Sequence, residues 1–257
     1  MSILVGKDTK LVVQGVTGRE GQFHTLRNKA YGTNVVAGVT PGKAGQDVEG
    51  IPVFNTVRDA VEATGANTSM IFVPPRFATD AIYESLDAGI DLTIAITEGI
   101  PAHDMMRVYT HLQRSDQRLL GPNCPGAISP GEATVGIMPT DVFTPGRVGI
   151  ISRSGTLTYQ ISKEIGDLGI GQSTVVGIGG DEEERAGEFI AANMKTPVVG
   201  YIAGFQAPPG KQMGHAGAII TGSSGTAQGK KDALEALGVR VGTNPTEVAE
   251  IVADTLK

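Results

Sequence analysis

Residues 11–21, LVVQGVTGREG, decide the fold of the first half of this chain. A short aliphatic run leads directly into Gly15, Gly18 and Gly21, and helical character begins at the last of them. The spacing is a G-x-x-G-x-x-G variant of the glycine fingerprint of dinucleotide-binding units. Glycine lets the backbone approach a phosphate, and a helix N-terminus offers N–H groups and a positive dipole end. The stretch predicts a site for a phosphate-bearing cofactor, with a merely tight strand-to-helix turn as the alternative.

Strands and helices alternate strictly on the C-terminal side of this turn. Short β-branched runs predict strands, and segments of helical character lie between them. The predicted strands are 11–15, 34–39, 69–73 and 92–96, and the predicted helices are 20–31, 56–64, 76–88 and 101–114. Strict alternation is typical of a parallel sheet. We therefore expect a Rossmann-like domain over residues 1–121.

The same pattern restarts after a stretch rich in proline and glycine. Residues 122–146 show no clear period and predict a connection between two domains. Beyond it the predicted strands are 147–152, 173–177, 197–203 and 239–241, and the predicted helices are 156–166, 182–194, 227–237 and one from 246. The sequence therefore predicts a second, parallel α/β domain over residues 147–257.

Composition limits the classes of partner. The formal net charge of −6, without clustered Lys or Arg, argues against nucleic acid. The single cysteine, Cys124, excludes an internal disulfide and a Cys-rich metal site, which fits a reducing compartment. No apolar run approaches the roughly 20 residues that cross a bilayer. We expect a soluble, cytoplasmic protein with no membrane partner.

Two further segments follow strands of the first domain. A dinucleotide site that holds a bare ribose carries an acidic residue after the second strand, whereas this chain has Lys43. Lysine there favours an additional phosphate, such as the 3′-phosphate of coenzyme A or the 2′-phosphate of NADP, over a bare ribose. A solvated loop charge explains Lys43 equally well. Ile96, Thr97 and Glu98 follow the fourth strand, where ligands of such folds bind, although a helix N-cap explains them equally well.

The second domain carries its own candidates. An anion site is predicted between a strand and a helix, at Ser154, Gly155 and Thr156. Tyr159 lies one helical turn beyond Thr156. The alternative is a capping turn followed by a tyrosine of the core. His215 lies in the glycine-rich loop GKQMGHAGAII. Histidine can act as a base, a metal ligand or a nucleophile, but chemistry alone favours a packed or surface residue here. No spacing of metal ligands and no G-x-x-x-x-G-K-[ST] phosphate loop occurs, so we expect neither a metal nor unaided binding of a nucleoside triphosphate.

Taken together, these segments resemble the alpha subunit of succinate–CoA ligase, also called succinyl-CoA synthetase. The resemblance runs over the whole chain, through GVTGREGQFHT, GVTPGKAG, GIPVFNTVRDAV, ITEGIP, LLGPNCPG, GIISRSGTLTYQ, QSTVVGIGGD and GKQMGHAGAII. It implies a CoA-binding Rossmann-like domain followed by a flavodoxin-like domain. It also implies that coenzyme A, a substrate, is held by Thr17, Gly18, Arg19, Glu20, Lys43, Ile96, Thr97 and Glu98.

The resemblance also implies the reaction scheme of this ligase, which is an enzyme of the citric acid cycle. His215 is the residue that is transiently phosphorylated, and Tyr159 contacts the carboxylate substrate. Phosphate attacks succinyl-CoA, the acyl phosphate passes its phosphoryl group to the histidine, and a beta subunit of the ATP-grasp type transfers that group to ADP or GDP. The Mg-nucleotide is expected on that partner only. The turn at Ser154, Gly155 and Thr156 can offer N–H donors to the phosphate.

One departure from the family pattern concerns the second domain. The family continues after QSTVVGIGGD through a helix and a strand that ends in a GEIGG-like turn, whereas Asp181 here runs directly into Glu182. One helix-plus-strand unit is therefore missing, and with it a glutamate that contacts the histidine in the family. Two alternative functions therefore compete with that of the ligase subunit. The first is a CoA-binding module that docks a beta subunit without relaying phosphate. The second is an NAD(P)-dependent oxidoreductase, which Lys43 disfavours.

Overall fold

The computed structural model of the chain describes residues 2–178, 184–205 and 226–257. The chain is divided into two compact units. The first comprises Met1–Gly155 and Gln172–Gly179, and the second comprises Thr156–Gly171 and Gly180–Lys257.

The first unit begins with alternating strands and helices. In chain order they are β1 (Lys10–Gln14), α1 (Arg19–Tyr31), β2 (Asn34–Val39), β3 (Asp47–Val48), β4 (Ile51–Phe54), α2 (Val57–Thr64), β5 (Thr68–Ile71), α3 (Pro75–Asp87), β6 (Leu92–Ala95), α4 (Ala102–Leu112) and β7 (Arg118–Leu120). The rest of the chain contains β8 (Gly126–Ser129), β9 (Ala133–Gly136), a 3-10 turn (Thr140–Val142), β10 (Pro145–Ser152), α5 (Gly155–Asp167), β11 (Gln172–Gly177), α6 (Glu184–Asn193), β12 (Val199–Tyr201), α7 (Ala227–Ala236), β13 (Arg240–Gly242) and α8 (Pro245–Thr255).

The first seven strands form one sheet in the order β3-β4-β2-β1-β5-β6-β7. All neighbouring strands are parallel except the short edge pair of β3 and β4. The chain leaves β1 toward β2 on one side and later returns to β5 on the other side. The carboxyl ends of β1 and β5 therefore form the switch point at which open α/β sheets bind ligands. The predicted Rossmann-like fold is confirmed.

The core of this unit explains why β1 consists of aliphatic residues. Leu11, Val12 and Val13 are fully buried, because β1 is a central strand of a parallel sheet. Helix boundaries follow local chemistry. Thr56 caps α2 by accepting a hydrogen bond from the N–H of Asp59 at 3.1 Å, and α1 ends at Gly32, whose φ of 111° is left-handed.

The stretch predicted as a connection, residues 122–146, contains regular structure. β8 and β9 form an antiparallel hairpin within the sheet β10-β11-β8-β9, and β10 and β11 pair in parallel. Gly126 and Gly136 face each other in this hairpin, and a Cβ on Gly126 would lie 2.1 Å from the carbonyl oxygen of Val135. The pairing therefore requires glycine at both positions. In the sequence the same glycines indicate a loop, which is why the hairpin was not predicted.

The four strands predicted for the second domain are all present as β10, β11, β12 and β13. They do not form one sheet, because β12 pairs in parallel with β13 in a separate sheet of two strands. The junction between Asp181 and Glu182, where the resemblance predicts that a helix-plus-strand unit is missing, lies outside the described residues. No helix in the described part of the chain is long and apolar enough to cross a membrane.

Candidate functional site

The turn between β1 and α1 is built by glycines. Gly15 has a φ of +80°, its N–H donates to the carbonyl of Val39 at 2.8 Å, and its own carbonyl accepts from the N–H of Gly18 at 3.0 Å. Gly18 is the N-cap of α1 and has no side chain to bond the N–H groups of the first turn. These groups, at the positive end of the helix dipole, are suited to an anion.

Two further glycines allow this turn to pack closely. A Cβ on Gly21 would lie 2.2 Å from the carbonyl oxygen of Gly15, and a Cβ on Gly38 would lie 2.3 Å from a methyl carbon of Val16. Both distances are far below van der Waals contact, and the oxygen belongs to the backbone. Gly21 therefore has a packing role, and Gly18 is the glycine at the helix N-terminus itself.

Lys43 lies in the loop that follows β2, one strand away from the glycine turn. The N–H of Lys43 donates to the carbonyl of Thr40 at 3.1 Å, and its carbonyl accepts from the N–H of Gln46 at 3.2 Å. Its side chain is exposed. The loop is joined to the glycine turn by a hydrogen bond of 3.1 Å from the hydroxyl of Thr17 to that of Thr40.

Ile96, Thr97 and Glu98 follow β6 at the same edge of the sheet. The N–H of Ile96 donates to the carbonyl of Ile71 at 3.2 Å, and the hydroxyl of Thr97 donates to the carbonyl of Val73 at 2.7 Å. The segment is thereby fixed against the loop after β5. It is not a helix cap, because α4 begins only at Ala102 with Pro101 as its N-cap.

The structure thus brings all eight predicted CoA residues to one edge of one sheet. Those exposed to solvent are Gly18, Arg19, Glu20, Lys43 and Glu98, and those partly buried are Thr17, Ile96 and Thr97. Arg19 and Lys43 supply positive charge, and the glycine turn supplies N–H donors, so this edge can bind phosphates. The carboxylates of Glu20 and Glu98 can accept hydrogen bonds from hydroxyl or amide groups.

His24 lies beside this edge on the second turn of α1. Its ring stacks on Phe72 with 5.4 Å between centroids, and its Nε2 is 3.9 Å from a carboxylate oxygen of Glu20. Burial lowers the pKa of His24 below its ordinary value, the charge of Glu20 raises it, and Arg27 lowers it, so the net direction is downward. The imidazole is therefore neutral near pH 7.

The remaining predicted site residues that the structure describes lie around the start of α5. Ser154 is buried, and its N–H donates to the hydroxyl of Ser152 at 3.1 Å. Gly155 is the first residue of α5, and Thr156 is exposed on its first turn. Tyr159 is half-buried, and burial raises the pKa of its hydroxyl. A strand-turn-helix geometry of this kind fits an anion site.

His215 lies outside the described residues, as does Asp181. Among the described ranges no group of three His, Cys, Asp or Glu residues could hold a metal ion.

The sequence did not reveal three residues that shape the site. Thr40 bonds Thr17, the N–H of Asn123 donates to the carbonyl of Thr97 at 3.1 Å, and the Oδ1 of Asn55 accepts two hydrogen bonds from the Lys43 loop. Each is a small polar residue within four positions after a strand. That placement in an α/β pattern is the signal that could have identified them.

Known proteins resemble this chain along its full length. Residues 6–99 match the family described as the CoA binding domain. The chain is 54% identical to the succinate–CoA ligase [ADP-forming] subunit alpha of Aquifex aeolicus, covering all of this chain and 95% of that protein. It is 53% identical to the subunit alpha 2 of the same name from Archaeoglobus fulgidus, and both chains are covered completely. These two alignments span 291 and 288 positions, whereas this chain has 257 residues.

The fold also occurs in a solved structure of ATP citrate lyase from Methanothrix soehngenii in complex with citrate and coenzyme A. The TM-score is 0.84 at 22% sequence identity, and the match covers 98% of this chain and 50% of that one. At this level of identity the likeness concerns the fold.

Proposed function

Because the chain belongs to the family of succinate–CoA ligase alpha subunits, we propose that it binds coenzyme A on its first unit and relays a phosphoryl group through His215. The observation that carries this proposal is the sheet edge at which the glycine turn, Lys43 and Ile96–Glu98 converge within the matched CoA-binding region. The complete reaction converts succinyl-CoA, phosphate and a nucleoside diphosphate to succinate, CoA and the triphosphate.

Coenzyme A is held by the residues at this edge. The pyrophosphate lies at the N-terminus of α1, beside Thr17, Gly18, Arg19 and Glu20, where N–H groups and the helix dipole stabilise its charge. Lys43 binds the additional 3′-phosphate as a point charge. Ile96, Thr97 and Glu98 line the path toward the thiol. The fixed backbone of these loops supports the assignment, because a preformed site loses little entropy on binding.

The chemistry proceeds in three steps. Inorganic phosphate attacks the thioester carbonyl of succinyl-CoA, the C–S bond breaks, and the departing thiolate takes a proton. The neutral imidazole of His215 then attacks the phosphorus of succinyl phosphate, and succinate leaves as a carboxylate. The nucleoside diphosphate finally attacks the phosphohistidine, which restores the imidazole. The turn of Ser154, Gly155 and Thr156 stabilises the phosphate through N–H groups at the start of α5, and Tyr159 contacts the carboxylate of succinate.

The nucleotide is supplied by a beta subunit of the ATP-grasp type, which also holds its magnesium ion. The sequence contains no phosphate loop of its own, and both relatives named above are alpha subunits of ADP-forming enzymes. We assign this chain to an ADP-forming heteromer of the cytoplasm. The two long alignments support a second domain shortened by one helix-plus-strand unit. Intact mass spectrometry tests this shortening, with 26.6 kDa as the expected mass.

Phosphorylation in the presence of the beta subunit tests the proposed function. The complex is incubated with γ-labelled ATP or GTP, and we expect one acid-labile, base-stable phosphate per alpha chain, lost in His215→Asn. His103→Asn, on the exposed start of α4, is the matched control and should keep the label. Retained CoA binding without any label would instead identify a CoA-binding module that does not relay phosphate.

A further inference from the structure

Asn55 occupies the position directly after β4, beside the loop that carries Lys43. Its Oδ1 accepts hydrogen bonds from the N–H groups of Gly42 at 2.9 Å and Ala44 at 3.1 Å. Two backbone donors that converge on one side-chain atom require it to be the oxygen of the amide. The two residues bonded to Asn55 are the immediate neighbours of Lys43 on either side.

The same loop is joined to β4 along its length. The N–H of Thr40 donates to the carbonyl of Phe54, and the N–H of Gly45 donates to the carbonyl of Val53, both at 3.0 Å. These bonds hold the two ends of the loop, whereas Asn55 alone among the described side chains bonds its centre. Gly42 has a φ of +77°, a left-handed conformation that glycine adopts without strain, so the turn directly before Lys43 depends on glycine at this position.

We infer that Asn55 is a positioning residue that fixes the Lys43 loop and thereby sets the preference for a cofactor with a 3′-phosphate. The inference rests on the proposed function, in which Lys43 binds that phosphate. Asn55 does not touch the phosphate itself. It keeps the backbone of Lys43 at the carboxyl end of β2, so that binding the phosphate orders only the lysine side chain and not the loop.

The test compares coenzyme A with 3′-dephospho-CoA, two ligands that differ only in the phosphate assigned to Lys43. Dissociation constants of both ligands are measured by titration calorimetry on the full chain, and KM and kcat are measured in the complex with the beta subunit. Asn55→Ala should weaken CoA by about three- to tenfold, the factor that corresponds to ordering one more flexible group on binding. The affinity for 3′-dephospho-CoA, kcat and the KM for succinate should not change.

Three variants make this result specific. Asn55→Leu keeps the shape of the side chain without its acceptor and should lose the preference for CoA as Ala does. Thr56→Ala removes the neighbouring cap of α2, whose hydroxyl accepts a hydrogen bond from the N–H of Asp59, and should leave the preference intact. Lys43→Ala should abolish the preference.

The outcomes separate the inference from the proposed function on which it rests. If Lys43→Ala leaves the preference unchanged, the proposed phosphate contact is wrong, and the inference fails with it. If Lys43→Ala abolishes the preference but both Asn55 variants keep it, only the inference fails. An equal loss of affinity for both ligands in the Asn55 variants would also overturn it, because that result indicates a general structural role.

Discussion

Gln14, the last residue of β1, has a buried side chain that connects three elements just before the glycine turn. The two N–H groups of its amide nitrogen are shared among three acceptors, the hydroxyl of Ser69 at 3.1 Å, the hydroxyl of Ser85 at 2.7 Å and the carbonyl of Ala81 at 2.9 Å. Gln14→Leu removes the donor from this buried site. We expect the free energy of unfolding to fall by about 1–3 kcal/mol, the cost of leaving buried polar groups unsatisfied.

Urea denaturation at equilibrium measures this change. Gln22→Leu is the matched control, because Gln22 is exposed on α1 and should change the stability by no more than about 0.5 kcal/mol. Equal midpoints for Gln14→Leu and the wild type would show that the hydrogen bonds of Gln14 do not stabilise this corner of the fold.

His24 makes the stability of the first unit depend on pH. Its folded pKa lies below the ordinary value of about 6.5, so the unfolded chain binds more protons as the pH falls through that value. Stability is therefore complete above pH 6.5 and decreases toward pH 5. Thermal unfolding at pH 5.5 and 7.5 should show a larger difference for the wild type than for His24→Gln.

Glu20 provides a second check on the same group. Its charge raises the pKa of His24, so Glu20→Gln should lower that pKa further and steepen the loss of stability below pH 6.5. A pH dependence that is the same in all three proteins would show that His24 does not titrate between the folded and unfolded states.

The individual site residues differ in how well the sequence predicts them. The placement of Gly18, Lys43 and Thr97 at one edge of the sheet could be predicted, because each follows a strand that is recognisable by its own apolar run. The contact of Asn55 with the Lys43 loop could not be predicted, although its position after a strand could, because the contact depends on the pairing of β2 with β4, and the short β3 intervenes along the chain. Such pairing is set by the whole sheet and not by local sequence.

At the scale of elements, the packing of α1 on β1 depends on Gly21. A Cβ at this position would lie 2.2 Å from the carbonyl oxygen of Gly15, so Gly21→Ala must push the helix away from the strand. Overpacking of this kind costs about 1–3 kcal/mol. We also expect weaker CoA binding, since the first turn of α1 moves with the helix.

Equilibrium unfolding and CoA titration measure the two effects of Gly21→Ala. Gly149→Ala in β10 is the control, because the nearest atom to its added Cβ is a serine oxygen at an ordinary 3.9 Å. If both variants have the wild-type stability, the close approach of α1 to β1 tolerates a methyl group.

Elements with a clear period were predictable, and the hairpin of β8 and β9 was not. Each strand has only four residues, and Gly126 and Gly136 pair where the strands begin and end. Glycine lowers strand propensity, yet here the close approach of two backbones excludes any side chain. Glycines occur at such positions both in loops and in tight hairpins. The local sequence pattern therefore does not distinguish the two structures.

At the scale of the whole molecule, the chain carries predicted site residues in each of its two compact units. The predicted CoA residues lie in the first unit, whereas Thr156 and Tyr159 belong to the second. The sequence indicates each group separately, because each follows its own strand. It does not indicate that β10 and β11 share a sheet with β8 and β9, since that arrangement depends on contacts between distant parts of the chain.

Cys124, the single cysteine of the chain, reports on the integrity of the first unit. It is 3% exposed, its Sγ is 3.5 Å from the carbonyl oxygen of Ala95, and burial raises the pKa of its thiol to about 12. Because only the thiolate reacts with disulfide reagents, the native protein should not react with Ellman's reagent at pH 8, whereas the protein unfolded in guanidinium should release one equivalent. At intermediate denaturant the rate of labelling should follow the unfolding of the core cluster that contains the thiol, to which β6 contributes Leu92 and Ile94 and β8 contributes Ala127. Rapid labelling of the native, CoA-free protein would show that this region opens without global unfolding.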